Sequence, residues 1–584
     1  MTQIHRFSPR PNRAHEIAWQ EWGAAAFAEA ESTNRPVLLS LTAVWCHWCH
    51  RMDETTYSDP AVIDLLNSDV IPIRVDGDRN PHVQDRYITG GWPTNAFLTP
   101  TGEVLWAGAY VDAESLLSVA RSVITAWSDR RDEFALEIER RRRALDASRG
   151  RHSSVGLVRR EASDDVVSAT REAFDARNGG FGDAPKFPPG DTIALLYSLA
   201  SNGDADALIM ADRTLDGMLA GELQDSEAGG FFRYATSAEW TAPRYEKLLE
   251  INALQVEAYA LGASVRARPD WAEIVERTVA WVDETLGQPG GLWGGSQAAD
   301  EAYFTLNRSA RKGQDAPAVD HTILTNANAA WIAALANAGG RLKREDWIAR
   351  ADAALHTLIT DMSSANGLLY HYRAEDCDPA LDFLLVDALE TARATLALAQ
   401  ATGDSTWLAH TRRLVKTMET SFWAEDGGFW DRARTAHDVG ALRYRDRPFD
   451  LNARCARLLL DLGLATGERG YRALAERTLA LLSPQAGRYG VAGAAFAIAV
   501  EEFFSLPPYV VIVGAPSAAV RLRMSALALP HADRRVWSLP DGGRMGTQTI
   551  AAQPAPAAYA YGKHGCSAPV LDDAALVAAI APLV

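Results

Sequence analysis

Two cysteines stand two residues apart in the run Trp45-Cys46-His47-Trp48-Cys49-His50, a spacing that suits thiol–disulfide exchange. The apolar run Pro36-Val37-Leu38-Leu39-Ser40-Leu41 has the length of a buried strand and leads straight into them. A helix starting at the motif would hold Cys46 at its N-terminus, where free N–H groups and the helix dipole favour a thiolate. Such a thiol falls from ~8.5 toward ~7 or below and becomes a nucleophile near neutral pH. Cys46 is therefore the expected attacking sulfur and Cys49, one turn on, the resolving one. His47 and Trp48 lie between them, where an incoming substrate would touch.

A strand leading into C-x-x-C is the thioredoxin arrangement. Such a domain needs a cis-proline facing the dithiol, and Pro93, in Gly90-Gly91-Trp92-Pro93-Thr94 before an apolar strand, is the candidate, with Trp92 beside it. Three other readings of the motif stay open. Cys46-x-x-Cys49-His50 also matches a c-type haem attachment, which requires an exported chain. A structural zinc site would need two further ligands that the flanking histidines cannot easily supply. An inert fold of the same class, used for docking, would carry the motif without turnover.

A second set of residues could do acid–base chemistry. Tyr234, Tyr245, Glu246, Asp320, His321 and Asp382 all fall in or beside loops between helical patterns. Carboxylates there could act as acid and base and aromatic rings could stack on a sugar. The competing reading for each acid is a helix cap or an ion pair with a nearby arginine. For the aromatics it is packing at helix ends.

These residues need elements to hold them. At 584 residues the chain exceeds one core, so more than one domain is expected. Residues 1–147 read as an α/β thioredoxin-like domain. From 157 to 505 the sequence turns to twelve Ala/Leu-rich helical patterns punctuated by six Gly-aromatic or Gly-Leu marks, among them Gly179-Gly180-Phe181, Gly229-Gly230-Phe231 and Gly427-Gly428-Phe429. Six marks imply six helix hairpins. The apolar run Val491–Ala499 looks buried rather than capping, which predicts a closed (α/α)6 toroid instead of an open solenoid. Residues 506–584 read as a small α/β segment containing Cys566. The linker is expected at 148–156.

The balance of 58 basic and 75 acidic residues gives a net charge of −17, which repels nucleic acid and anionic membrane surfaces. The N-terminus lacks an apolar targeting core, and no run is long enough to span a bilayer. With five cysteines, an odd number, the chain reads as a cytoplasmic protein in a reducing compartment, without cofactor or metal. The expected partner of the dithiol is a disulfide-containing protein or a small thiol, and that of the ring a carbohydrate.

The motifs together resemble a known family. Cys46-His47-Trp48-Cys49-His50, Gly90-Gly91-Trp92-Pro93 with Phe97-Leu98-Thr99-Pro100, and Gly179-Gly180-Phe181-Gly182-Asp183-Ala184-Pro185-Lys186-Phe187-Pro188 look like the thioredoxin-domain family of spermatogenesis-associated protein 20. The resemblance implies a thioredoxin-like domain joined to a six-hairpin, glycosidase-like toroid. It implies no settled substrate. Tyr245-Glu246-Lys247 and Leu324–Asn328 follow family elements in part, with Tyr245 in place of phenylalanine and a tryptophan missing near Asn328. Two functions follow: a thiol–disulfide oxidoreductase with an accessory ring, or a carbohydrate-active hydrolase or epimerase using Glu246, Asp320 or Asp382. A non-catalytic scaffold is the third.

Overall fold

The computed structural model describes residues 5–581 except 132, 135, 141–142, 144–155, 376, 436–437 and 546–547. The expected linker therefore lies almost wholly outside the described residues.

The N-terminal domain is built on a four-stranded sheet in the order β2-β1-β3-β4. Strand β1 (Val37–Thr42) runs parallel to β2 (Ile71–Asp76) and antiparallel to β3 (Thr94–Leu98), which pairs with β4 (Val104–Gly108). Every residue of β1 is buried, because helices cover both faces of the sheet, and this explains its unbroken apolar run. Val37, Leu39 and Leu41 pack against α1 (Ala24–Thr33) and α4 (Pro81–Tyr87). Leu38 faces the other way, toward α2 (His47–Glu54), α3 (Pro60–Asp69) and α5 (Ala113–Asp129).

The helical body is a closed ring. Six inner helices, Gly190–Ser201, Leu249–Arg266, Thr325–Arg341, Leu385–Thr402, Phe449–Thr466 and Ala494–Phe504, each touch the next, and the last touches the first. Six outer helices back them: Glu161–Ala173, Ala205–Ala220, Pro269–Trp281, Glu345–Met362, Ser405–Phe422 and Arg469–Leu482. Closure comes from pairing the first outer helix, Glu161–Ala173, with the last inner one. Inner helices are apolar nearly all round, whereas outer ones keep a polar face. This gives the expected (α/α)6 toroid.

The C-terminal segment is the expected small α/β unit. Its sheet runs Arg535–Leu539, Tyr509–Val513, Ala557–Gly562, Gly565–Cys566, with the first pair parallel. A hairpin of Gly543–Met545 and Gln548–Ile550, not foreseen from the sequence, adds a second small sheet.

The first domain sits on the end of the ring where the inner helices begin. Arg86 pairs with Asp431, His82 packs edge-on to Phe383 at 5.2 Å, and Arg6 reaches Asp320 at 2.6 Å. The turn at Gly102 (φ +92°) lies directly against Gly440 (φ +56°): a Cβ on Gly102 would strike the Gly440 Cα, and one on Gly440 the Tyr87 hydroxyl. Beside this contact Leu442 of the ring enters the apolar core formed by α1, α4 and the sheet. Among the described residues no helix is long and apolar enough to cross a membrane.

Candidate functional site: an enclosed dithiol

Cys46 is the N-cap of α2, and its sulfur accepts the Cys49 backbone N–H at 3.1 Å. The two sulfurs are at bonding distance, with Cα atoms 5.3 Å apart. The Trp92–Pro93 peptide is cis. Helix α2 is held by a buried ion pair: Asp53 accepts from both ends of the Arg74 guanidinium on β2, each contact 2.9 Å. Arg74 also lies over the Phe7 ring at 4.7 Å.

Cys46, the expected attacking sulfur, is enclosed and not open to incoming molecules. Cys46 and Cys49 are each only 2% exposed. Trp45 and Trp92, edge to face at 5.5 Å, form one wall, and Leu248 and Ile251 of the ring form the other. The covering residues come from a hairpin some two hundred residues away in the chain, so no local signal announces them. His47 and Trp48 remain on the surface, Trp48 41% exposed and packed on Tyr110 at 5.1 Å. Burial, with Arg10 and Arg51 nearby, lowers the His47 pKa below the usual imidazole value.

Around the dithiol the two domains interlock through charged groups. Trp45 Nε1 donates to Asp78 at 2.6 Å, and the Arg233 guanidinium lies over the Trp45 ring at 4.5 Å. Burial and the neighbouring Asp76, Asp320 and Glu250 push the Asp78 carboxyl well above the usual carboxylate range. His371, fully buried, faces acceptors on both ring nitrogens: the Asp387 carboxylate at 3.0 Å and the Asp78 carbonyl at 2.8 Å. Burial opposes its charge, but Asp387 and the carbonyl outweigh that and raise its proton affinity. A doubly protonated ring satisfies both contacts.

The remaining candidate residues are brought to the same end of the ring but not into one cluster. Asp320 accepts from Arg6 at 2.6 Å and from Thr322, and Asp382 accepts from Asn366 at 2.7 Å. Asp320 thus ties the ring to the first domain, and Asp382 holds a nearby turn. Glu246 is buried with one oxygen unpartnered, and burial raises its pKa despite Arg233 and Arg244. Tyr234 stacks on Phe187 at 4.6 Å, Tyr245 on Phe304 at 5.9 Å, and exposed His321 lies 2.8 Å from Gln288. The aromatics after the Gly-Gly marks do not line the lumen: Phe231 and Trp293 are buried in the hairpin interior.

Asn328, in the first turn of the inner helix Thr325–Arg341, has a structural part. Its side chain accepts the Trp293 N–H at 2.9 Å and donates to the Trp293 and Leu324 carbonyls. Asn252 does the same for Phe231 and Leu248, and Asn452 for Phe429 and Pro448. In each case the first turn of an inner helix grips the preceding Gly-aromatic turn. A second grip repeats with it. Lys247 donates to Asp225 at 2.7 Å and to the Gly229 carbonyl, and Lys186 to Asp175 at 2.5 Å and the Gly179 carbonyl. Burial lowers the Lys247 pKa to about 8, with Asp225 working the other way. The repeated spacing of Asp before Gly-Gly, with a later Lys, was the signal that could have revealed these clamps. Among the described residues no group of His, Cys, Asp and Glu is placed to hold a metal ion.

Residues 10–146 match the sequence family described as Thioredox_DsbH, a protein of unknown function, DUF255. Human spermatogenesis-associated protein 20 is 28% identical over 326 residues, 51% of this chain and 41% of that protein. The uncharacterized protein B0495.5 of Caenorhabditis elegans is 30% identical over 254 residues, 40% of this chain and 34% of that one. The matched stretches thus span well under half the length of these relatives. Thiol:disulfide interchange protein DsbD of Campylobacter jejuni (strain RM1221) is 28% identical over 92 residues, 15% of this chain and 16% of that protein. A sugar epimerase from a ruminal bacterium superposes with a TM-score of 0.45 at 14% identity, covering 55% of this chain and 84% of that one. An unsaturated glucuronyl hydrolase specific for heparin gives 0.44 at 13%, covering 59% and 96%. The resemblance carried by the CHWCH and GGFGDAPKFP motifs is thereby borne out.

Proposed function

We propose that this relative of spermatogenesis-associated protein 20 is a thiol–disulfide oxidoreductase whose dithiol exchanges with small thiols and disulfides beneath the cover of its own ring. The observation that carries the reading is Cys46 at the N-cap of α2, its sulfur at bonding distance from that of Cys49. Leu248 and Ile251 over the sulfurs favour a small partner over a folded protein. The similarity of 92 residues to a protein named for thiol:disulfide interchange supports the same chemistry.

In the reducing direction the Cys46 thiolate attacks one sulfur of a small disulfide, forming a mixed disulfide and releasing one thiolate. The Cys49 thiolate then attacks Cys46 sulfur and releases the second. Both leaving thiolates take up a proton, and the protein ends with the Cys46–Cys49 bond. Helix α2 supplies the N-terminal field for the thiolate, and the Asp53–Arg74 pair holds that helix in place.

The test is oxidation of the reduced protein by glutathione disulfide, following free thiols and mass. With the exposed Cys377 and Cys566 replaced by Ser, full reaction should release two glutathiones per chain, Cys46→Ser should abolish it, and Cys49→Ser should accumulate the mixed disulfide. Absence of reaction in the wild type, with both cysteines shown to be reduced, would remove the proposal.

A further inference from the structure

The ring is not plugged. Toward the C-terminal ends of the inner helices it encloses a cavity of about 220 Å³, closed at its base by residues 527–536 of the C-terminal segment. Small side chains on the inner helices, such as Ala194, Ala258 and Ala397, leave the space open. It is larger than the ~150 Å³ engineered cavity that takes up benzene, but this one is lined by charge.

Six arginines reach it, and four of them have carboxylate partners. Arg454 pairs with Asp191 at 2.8 Å and Glu390 at 3.3 Å, and Arg393 with Glu390 at 2.5 Å. Arg457 pairs with Glu502 at 3.1 Å, and Arg535 with Asp461 and Glu502, both at 2.7 Å. The other two, Arg341 and Arg534, form no ion pair among the described residues. Arg341 donates only to the carbonyls of His531 and Ala532, and Arg534 to that of Leu527, with its Nε left without a partner. Glu257 and Asp533 also line the cavity and attract Arg341 without an ion-pair contact, whereas the charged neighbours of Arg534 are Arg341 and Arg535.

Two enclosed guanidiniums without a carboxylate in contact are costly, and a bound anion relieves the cost. Guanidinium forks match phosphate oxygens two by two, and a low-dielectric wall strengthens such bonds. We propose that the base of the lumen binds a phosphate group, free or as the ester of a small polar molecule, between Arg341 and Arg534. Burial depresses the proton affinity of both side chains, to about 10 for Arg341 against the pull of Asp533 and Glu257. No aromatic side chain lines this cavity, so the phosphate and not a stacked ring would supply the affinity.

Titration calorimetry on the full chain at constant ionic strength, with inorganic phosphate, glucose 6-phosphate, glucose and citrate, tests this. Saturable one-to-one binding of phosphate or glucose 6-phosphate is expected, with no heat from glucose. Tighter binding of the ester would identify an ester as the ligand, and equal or weaker binding free phosphate. Arg341→Gln and Arg534→Gln should each weaken binding at least tenfold, and Arg534→Lys less. If those variants do not fold, hydrogen exchange on the wild type decides: phosphate should protect amides of 325–341 and 527–536. Binding unchanged in the variants, protection only elsewhere, citrate bound in place of phosphate, or no saturable binding would each overturn the proposal.

Discussion

Asp53 on α2 and Arg74 on β2 meet through two contacts of 2.9 Å, and neither side chain is more than 3% exposed. The pair fixes the helix that begins at Cys46 to the strand beneath it. Removing one partner leaves a buried charge alone, at a cost of about 3–5 kcal/mol. Asp53→Ala should lower stability by that amount in urea unfolding. The apolar double replacement Asp53→Leu with Arg74→Met should recover most of it.

The cover over the dithiol should limit the rate of exchange. Replacing Leu248 and Ile251 together by Ala should speed reaction of the reduced cysteines with a bulky aromatic disulfide by about tenfold or more, the factor of a ~1.4 kcal/mol lower barrier. Glutathione disulfide should gain less. Stopped-flow absorbance of the released thiolate measures both, and equal rates in variant and wild type would show that the ring does not screen the sulfurs.

The asparagine clamps should behave as structure. Asn328→Ala leaves the Trp293 N–H and two carbonyls without partners inside the protein, so a loss of about 2–4 kcal/mol is expected. Asn452→Ala should cost a similar amount. Neither should alter the redox midpoint of Cys46–Cys49 in a glutathione titration.

Acid should weaken the joint between the domains. Burial, followed by Arg432, His371 and Arg86, lowers the His82 pKa to about 3. A base whose folded value lies below its unfolded ~6.5 contributes stability above pH 6.5 and loses it as pH falls toward the folded value. Between pH 6.5 and 4 the loss from His82 should be of order 2–3 kcal/mol. His82→Phe cannot charge, so its urea midpoint should fall less over that range than the wild type's. Parallel curves would refute this.

Much of this architecture is written locally. The helix of 190–201 falls where its apolar run lies between Pro189 and Asn202, residues that mark its two ends. The patterns expected to begin at 321 and 381 start instead at Thr325 and Leu385. Ile323–Leu324 is drawn into a strand by Tyr372–Ala374, a pairing between distant residues that periodicity cannot see. The same limit governed the site. Cys46 and Cys49 were legible from spacing, whereas their burial depends on Leu248, and the unpaired Arg341 and Arg534 meet only when the ring closes. The clamps were legible in principle, since Asn252, Asn328 and Asn452 recur at matching places, but polar residues at loop ends suggest ligands as readily as turns.

Leu442 belongs to the ring by sequence and to the neighbouring domain by packing. An excised N-terminal half would therefore carry a socket with nothing to fill it, and the severed ring a greasy peg facing water. The two parts of this chain are better regarded as one folding partnership than as a portable reductase tied to a separate barrel of helices.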